Sequence, residues 1–377
     1  MKRLFLFQGI LCLTAPFIKA ELPFAELPPF TVLGEPGHDT AITETYLPGG
    51  DLQLLGFNDI TEAARLVPGI TAAPGPRGGP RNERRLYMRG FDSRQILLLV
   101  DGIPFYIPYD GEPGDFERFR LWNAETVEVS KGISSILFGP NAMGGAINIA
   151  TAPPSRPLEA EALLQSGFDR KGDQQEWNSF VRGGFVEGDV YGQIGASWME
   201  RDHWTLPDSF QPEGPPVLDP AGPGNLEDGG EREQSRVLDR SAFARVGWLP
   251  GNGASLTATF FHQQAEKEVP PYAGSPNPFE RINFFRWSHW DRTSLFLQGG
   301  LQPVQDHELR VRIYYDAFFN RLERFDDWTY STQATPRSFS SEFDDQSIGG
   351  SGQWAWTRKP GETWIGVLHF RRDHHEE

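Results

Sequence analysis

SKGISSILFGPNAMGGAINIAT, residues 130–151, sets four glycines (Gly132, Gly139, Gly144, Gly145) around two short apolar runs. A glycine-rich turn after a strand has the outline of a phosphate cradle. Such a cradle, however, closes on a Lys-Ser/Thr pair that opens a helix. Here Gly144-Gly145 runs into Ala146-Ile147-Asn148-Ile149, an alternating strand, so the phosphate reading fails. What remains is a flexible turn between two strand-like pieces.

Working outward, 126–130 and 146–150 alternate as strands on either side of that turn. Upstream, 84–88 is a further strand, and 96–100 is wholly apolar and so expected to be buried on both faces, closed by the turn signal Asp101-Gly102. Before these, Asn58 is placed to cap a helix carrying Ile60, Ala63, Ala64 and Val67 on one stripe, stopped by Pro68-Gly69. A unit of about one hundred residues with mixed strands and a helix fits this stretch. Ahead of it, 21–46 is Pro-rich, with Phe30-Thr31-Val32-Leu33-Gly34 a β-prone peptide able to add to a partner's sheet edge.

The first twenty residues have the order of a secretory leader: Lys2 and Arg3, an apolar run, and the small residue Ala20 for cleavage before Glu21. The single cysteine, Cys12, lies inside it, which leaves the exported chain without disulfides or thiolate metal sites. Losing Lys2, Arg3 and Lys19 takes the formal charge from −16 to −19. So acidic an exported protein is a poor partner for nucleic acid. No run of about 18 apolar residues follows, which excludes a membrane helix, yet aromatics make up 13% of the chain, with 11 Trp and 28 Phe. A membrane β-barrel reconciles those facts, since only alternate residues of its strands face lipid.

After Pro153-Pro154 the chain becomes a series of two-faced strands, expected near 158–168, 175–186, 189–200, 236–249, 254–265, 289–301, 306–319, 346–357 and 362–371. Tight connections on one side alternate with long polar loops near 201–235, 266–288 and 320–345, the asymmetry of outer-membrane barrels. Trp198, Trp248, Trp290, Phe319 and Trp364 lie near strand ends and suit interfacial girdles.

LYMRGFDSRQILLLVDGIPFYIPYDG (86–111) and AETVEVSKGISSILFGPNAMGGAINIAT (124–151) resemble the plug-domain motifs of TonB-dependent outer-membrane receptors. The resemblance covers 57–152, with several unrelated segments agreeing in order and spacing. Carried over residue by residue, the motif positions are Arg89 and Gly90, Asp101 and Gly102, Glu128, Lys131 and Gly132, Gly139, and Gly144 with Gly145. The resemblance implies an α+β plug followed by an antiparallel transmembrane β-barrel, about nine strands of a family complement of twenty-two. It divides the chain into a leader (1–20), an N-terminal segment with the TonB box at Phe30, Thr31, Val32, Leu33 and Gly34 (21–46), the plug (47–152) and a partial barrel (157–377). No signalling domain fits between cleavage and Phe30.

It also implies the cell outer membrane of a Gram-negative bacterium, active uptake of a ferric siderophore or similar metal chelate, and partners in the TonB energy-transducing complex of the inner membrane, outer-membrane lipid and the barrel assembly machinery. Cobalamin, an oligosaccharide or a nickel complex are alternative substrates within the family. The chain departs from the family in ending on His-His-Glu-Glu after nine strands, so it is read as the N-terminal portion of a receptor, with a non-transporting remnant as the alternative. A small-barrel outer-membrane enzyme or adhesin would lack the plug motifs. No Gly-x-Ser-x-Gly or His-Glu-x-x-His signature occurs, so no enzyme and no cofactor are expected.

Among individual residues, Arg81, Tyr106 and Tyr109 lie in plug loops placed to face outside, and an arginine with phenols suits an anionic chelate. Arg89 and Asp101 read as buried structural pairs, with a moving switch as the alternative. His369, His374 and His375 are expected to hold no metal, and Asp326-Asp327 and Asp344-Asp345 lack the spacing of a calcium loop.

Overall fold

The computed structural model describes residues 10–12, 43–74, 83–109, 111–132, 141–211, 227, 229–271 and 283–377. The TonB-box candidates Phe30 to Gly34, together with Arg81 and Gly139, lie outside these residues.

Two sheets dominate. The inner one has the order β2-β7-β8-β5-β6, built from β2 (Thr43–Pro48), β5 (Ile96–Val100), β6 (Ile103–Pro104), β7 (Ala124–Lys131) and β8 (Gly145–Thr151). Among the described residues only β5 and β8 pair in parallel, and β5 is buried along Ile96 to Leu99, as its unbroken apolar run requires. A two-stranded ribbon of β3 (Ile70–Pro74) and β4 (Arg84–Met88) flanks it. Ile60, Ala63, Ala64 and Val67 bury their stripe against Leu86, Leu98, Val127 and Ile147 in one core.

The helical segment is shorter than its stripe suggests. After α1 (Gly49–Leu54), α2 spans only Ile60–Ala63, and a 3-10 turn over Ala64–Leu66 completes it. Its cap is Asp59 rather than Asn58: the Asp59 carboxylate accepts from Thr61 N at 2.8 Å and Glu62 N at 3.2 Å. Asn58 instead accepts the Trp122 indole N–H at 3.2 Å and donates its own backbone N–H to Glu62 Oε2 at 2.7 Å.

The second sheet is a wall of antiparallel strands in chain order: β9 (Leu158–Phe168), β10 (Gln174–Glu187), β11 (Val190–Arg201), β12 (Val237–Trp248), β13 (Ala254–Val269), β14 (Phe284–Val304), β15 (His307–Phe325), β16 (Phe339–Lys359) and β17 (Glu362–Glu376). A short β1 (Ile10–Cys12), within the stretch read as a leader, lies antiparallel along β9. The nine expected strands are all present, but the later ones run longer. Strands β14 and β16 have 21 residues each, about twice what a tilted strand needs to cross a bilayer. The connections after β13 and β15 shrink accordingly, to 270–283 and 326–338, because ladder pairing continues into stretches whose composition read as loop, while that after β11 keeps its expected length.

Which face points where separates this wall from a soluble sandwich. On β15, Val311, Ile313 and Tyr315 are 42%, 50% and 41% exposed, while Arg312, Tyr314 and Asp316 are 8%, 5% and 5% exposed. Apolar residues face outward and polar ones inward, the inverse of a water-soluble sheet. Trp198, Trp248 and Trp364 are likewise outward. Trp290 is not: it is buried inward with Ile107 and Phe318, so its proximity to a strand end misled the girdle assignment.

The inner sheet packs on the wall's inward face. Phe105, just past β6, makes edge contacts with Phe119 and with the wall residues Phe261 and Phe296 at 5.9, 6.1 and 5.7 Å. Burial of such a side chain contributes about 2–3 kcal/mol.

Candidate functional site

The two dipeptides singled out in sequence, Arg89-Gly90 and Asp101-Gly102, are the same device. In each, both residues have positive φ (49° and 86°, 49° and 75°), and each closes a two-residue hairpin: Met88 pairs with Phe91, and Val100 with Ile103. Arg89 and Asp101 are not paired with each other. The Arg89 guanidinium reaches the Lys131 carbonyl at 3.4 Å, whereas Asp101 is the hub between inner sheet and wall.

The Asp101 carboxylate accepts from Thr151 N at 2.8 Å and from Thr151 Oγ1, and it forms an ion pair with Arg245 of β12. Its carbonyl accepts from Gln298 of β14 at 2.7 Å, and the next carbonyl, of Gly102, accepts from Arg312 of β15. Behind the turn, Gly102 N donates to Asn148 Oδ1 at 2.9 Å, and Asn148 donates to Glu128 Oε2 at 2.9 Å. Burial raises the Glu128 carboxyl above the ordinary range. One turn therefore ties the inner sheet to three wall strands.

The opening glycines sit where strands cross. A β-carbon on Gly145 would lie 2.1 Å from Ser130 O and 2.5 Å from Met88 Sδ, and one on Gly144 would meet Phe91 at 2.7 Å. Gly132 N donates to Gly144 O at 3.1 Å, and the Lys131 ammonium donates to Pro68 O at 3.1 Å. These motif residues build the sheet and its turns.

A second tie lies nearer the long-loop side. Lys267 of β13, 2% exposed, donates to Asp115 Oδ2 at 2.6 Å and Glu117 Oε2 at 2.9 Å, and Arg201 reaches Glu117 at 2.9 Å. Burial alone would raise the Glu117 carboxyl. Lys267, followed by Arg201, overrides that and holds it well below the ordinary carboxylate range. Sequence reasoning missed Lys267, Arg245 and Arg312. Their one signal is a charge at the inward phase of a wall strand.

The candidate ligand-facing residues divide. Tyr106 is 3% exposed, its hydroxyl 2.9 Å from the Asp373 carboxylate and 3.3 Å from Ser347 Oγ. Tyr109 is 58% exposed and its ring packs at 5.1 Å from Phe343 and 4.7 Å from His375. His375 in turn contacts Asp345 at 2.5 Å. Asp326 accepts from Ala334 N, Thr335 N and Thr335 Oγ1, so it organises its own loop.

A profile of the TonB-dependent Receptor Plug Domain family matches residues 36–146. The chain is 30% identical over 137 residues to the vitamin B12 transporter BtuB of Photobacterium profundum, covering 36% of this chain and 22% of that protein. It is 32% identical over 155 residues to an iron-regulated outer membrane virulence protein of Vibrio cholerae, covering 38% and 23%. Among solved structures, the ferric enterobactin receptor PfeA of Pseudomonas aeruginosa aligns with a TM-score of 0.67 at 15% identity, over 89% of this chain and 50% of that one. The copper transporter OprC aligns at 0.65 and 16%, over 88% and 47%. The chain thus spans about half the length of these solved structures.

Proposed function

The chain belongs to the TonB-dependent receptors, and from that premise we propose that it serves the energised uptake of a scarce substrate, a ferric siderophore or similar metal chelate, across the outer membrane. The family is one of transporters and receptors rather than enzymes. In this reading 1–20 is a leader cleaved near Ala20, 21–46 carries the coupling box, 47–152 is the plug and 157–377 is barrel wall.

The observation that carries the reading is a wall apolar outside and charged inside, with its inner face occupied by a sheet held through buried ion pairs. A polar-lined barrel is an aqueous pore, and a pore blocked this firmly passes substrate only when work moves the plug. The TonB complex supplies that work by gripping Phe30 to Gly34. Lipid contacts the outward face, and the assembly machinery inserts the wall. Arg81 and Tyr109 meet the substrate first, and Tyr106 after it is uncovered.

The test is equilibrium binding to the full chain in detergent, followed by quenching of its tryptophans, with a ferric triscatecholate, ferric citrate and cyanocobalamin. We expect saturable binding of a ferric chelate, weakened about tenfold by Tyr109→Ala, consistent with loss of roughly 1.4 kcal/mol. Binding of cyanocobalamin alone would move the assignment to the cobalamin branch, which the similarity to BtuB makes the leading alternative. Absence of binding to all three would sink the uptake reading for this chain and favour a remnant.

A further inference from the structure

Strands β15, β16 and β17 present their inward side chains in aligned rows. Pairing puts Phe318, Asp345 and His375 in one row, Asp316, Ser347 and Asp373 in the next, then Tyr314, Gly349 and Arg371, and finally Arg312, Ser351 and His369. The four rows span seven residues of β17, about 20 Å along the strand. Tyr109 packs on the first row at His375, and Tyr106 hydrogen-bonds in the second at Asp373. The Arg371 guanidinium of the third row lies 4.2 Å from the centre of the Tyr106 ring.

Below that ring the wall and the plug part to leave a cavity of about 200 Å3. Arg312, Tyr314, His369 and Arg371 line it from the wall, and Gly102 to Pro104 line it from the plug. In a chain of net charge −16, the lining contains two guanidiniums and a histidine and, among the described residues, no carboxylate. Asp373, outside the lining, takes Arg371 Nε at 2.9 Å from the row above. Gly349 keeps the third row open: a β-carbon there would lie 2.4 Å from the Tyr314 hydroxyl.

We infer that this cavity is an oxyanion site, taking a carboxylate- or phosphate-type group between Arg312, Arg371 and the Tyr314 hydroxyl, about two rows beneath the mouth. Planar guanidiniums suit such groups because their N–H pairs match two oxygens at once. The site extends the uptake reading by giving an anionic group a second holding point after Tyr109 and Tyr106. It sits on the Asp101-Gly102 turn itself, so its occupant would touch the plug where the plug is tied down.

The test is titration calorimetry of the full chain in detergent with sodium sulfate at constant ionic strength. One saturable site is expected, weakened at least tenfold in the double variant Arg312→Gln/Arg371→Gln. Asp373→Asn removes the carboxylate that competes for Arg371 and should tighten sulfate binding threefold or more, a gain that a merely structural role for these arginines would not produce. Ferric citrate displacing the sulfate would assign the site to the carboxylates of a chelate. Sulfate binding undisturbed by it would assign a free oxyanion, and either result supports the site. No saturable heat, or equal affinities in wild type and both variants, would overturn it. Sulfate binding needs neither energy coupling nor a closed barrel, so failed uptake and failed sulfate binding are separate results.

Discussion

Gly145 is the residue on which the inner sheet's closure depends. A methyl group there meets Ser130 O at 2.1 Å on backbone with φ of 142°, so Gly145→Ala should destabilise the plug by about 3 kcal/mol. Gly352→Ala, at a wall position with nothing within 4 Å, should change stability by less than about 0.5 kcal/mol. Hydrogen exchange of the β7 and β8 amides would distinguish the two. Glycine and the Asp-Gly pair were readable from sequence because their chemistry is local: positive φ and close approach belong to the residue itself. Lys267 was not, because its partners Asp115 and Glu117 lie about 150 positions away. Asn58 and Asp59 are both good caps, and the choice of Asp59 follows from Trp122 occupying the Asn58 side chain. Lys267→Met should cost about 3–5 kcal/mol, since it leaves the buried Asp115 carboxylate without its ammonium partner and Glu117 with Arg201 in its place. Proteolysis of the plug in folded chain would report it.

Alternation carries the strands themselves. Ile313→Lys places a charge among outward residues of β15 and should cost about 2–4 kcal/mol if that position lies near the bilayer midplane. Denaturant titration of folding into vesicles measures this directly, and a neutral result would mean that face does not meet lipid. Strand existence was legible because period-two patterning is a property of a few consecutive residues. Strand ends were not: β14 to β16 continue into stretches whose composition read as loop, and there the ladder with the neighbouring strand carries them on. The same limit explains Trp290, whose inward phase was visible but whose aromatic character drew it into the girdle assignment.

For the molecule as a whole, two carboxyls set opposite pH responses. Burial, with Glu62 next, raises Asp59 to about 7. The folded state then holds a proton that the unfolded chain has lost, so this contribution weakens as pH rises from about 4 toward 7. Glu117 is depressed by Lys267 despite its burial. Its contribution is present above the ordinary value of about 4.3 and is lost as pH falls through its lower folded value. Stability of the plug against the wall should therefore fall on moving from about pH 5 to 7 and fall again below about pH 4. Asp59→Asn should remove the first limb and Glu117→Gln the second, as followed by hydrogen exchange across that range.

The hydrogen bonds of the Asp101-Gly102 turn join it to Arg245, Gln298 and Arg312, separations of 144, 197 and 210 residues along the chain. Contacts that distant form late, because each requires a long loop to close before any reward arrives. The turn is thus a clock for biogenesis. A plug can finish its own sheet early, yet it stays undocked until at least seven wall strands have been laid down beside it. Weakening this turn should hasten undocking far more than it slows the first collapse of either sheet.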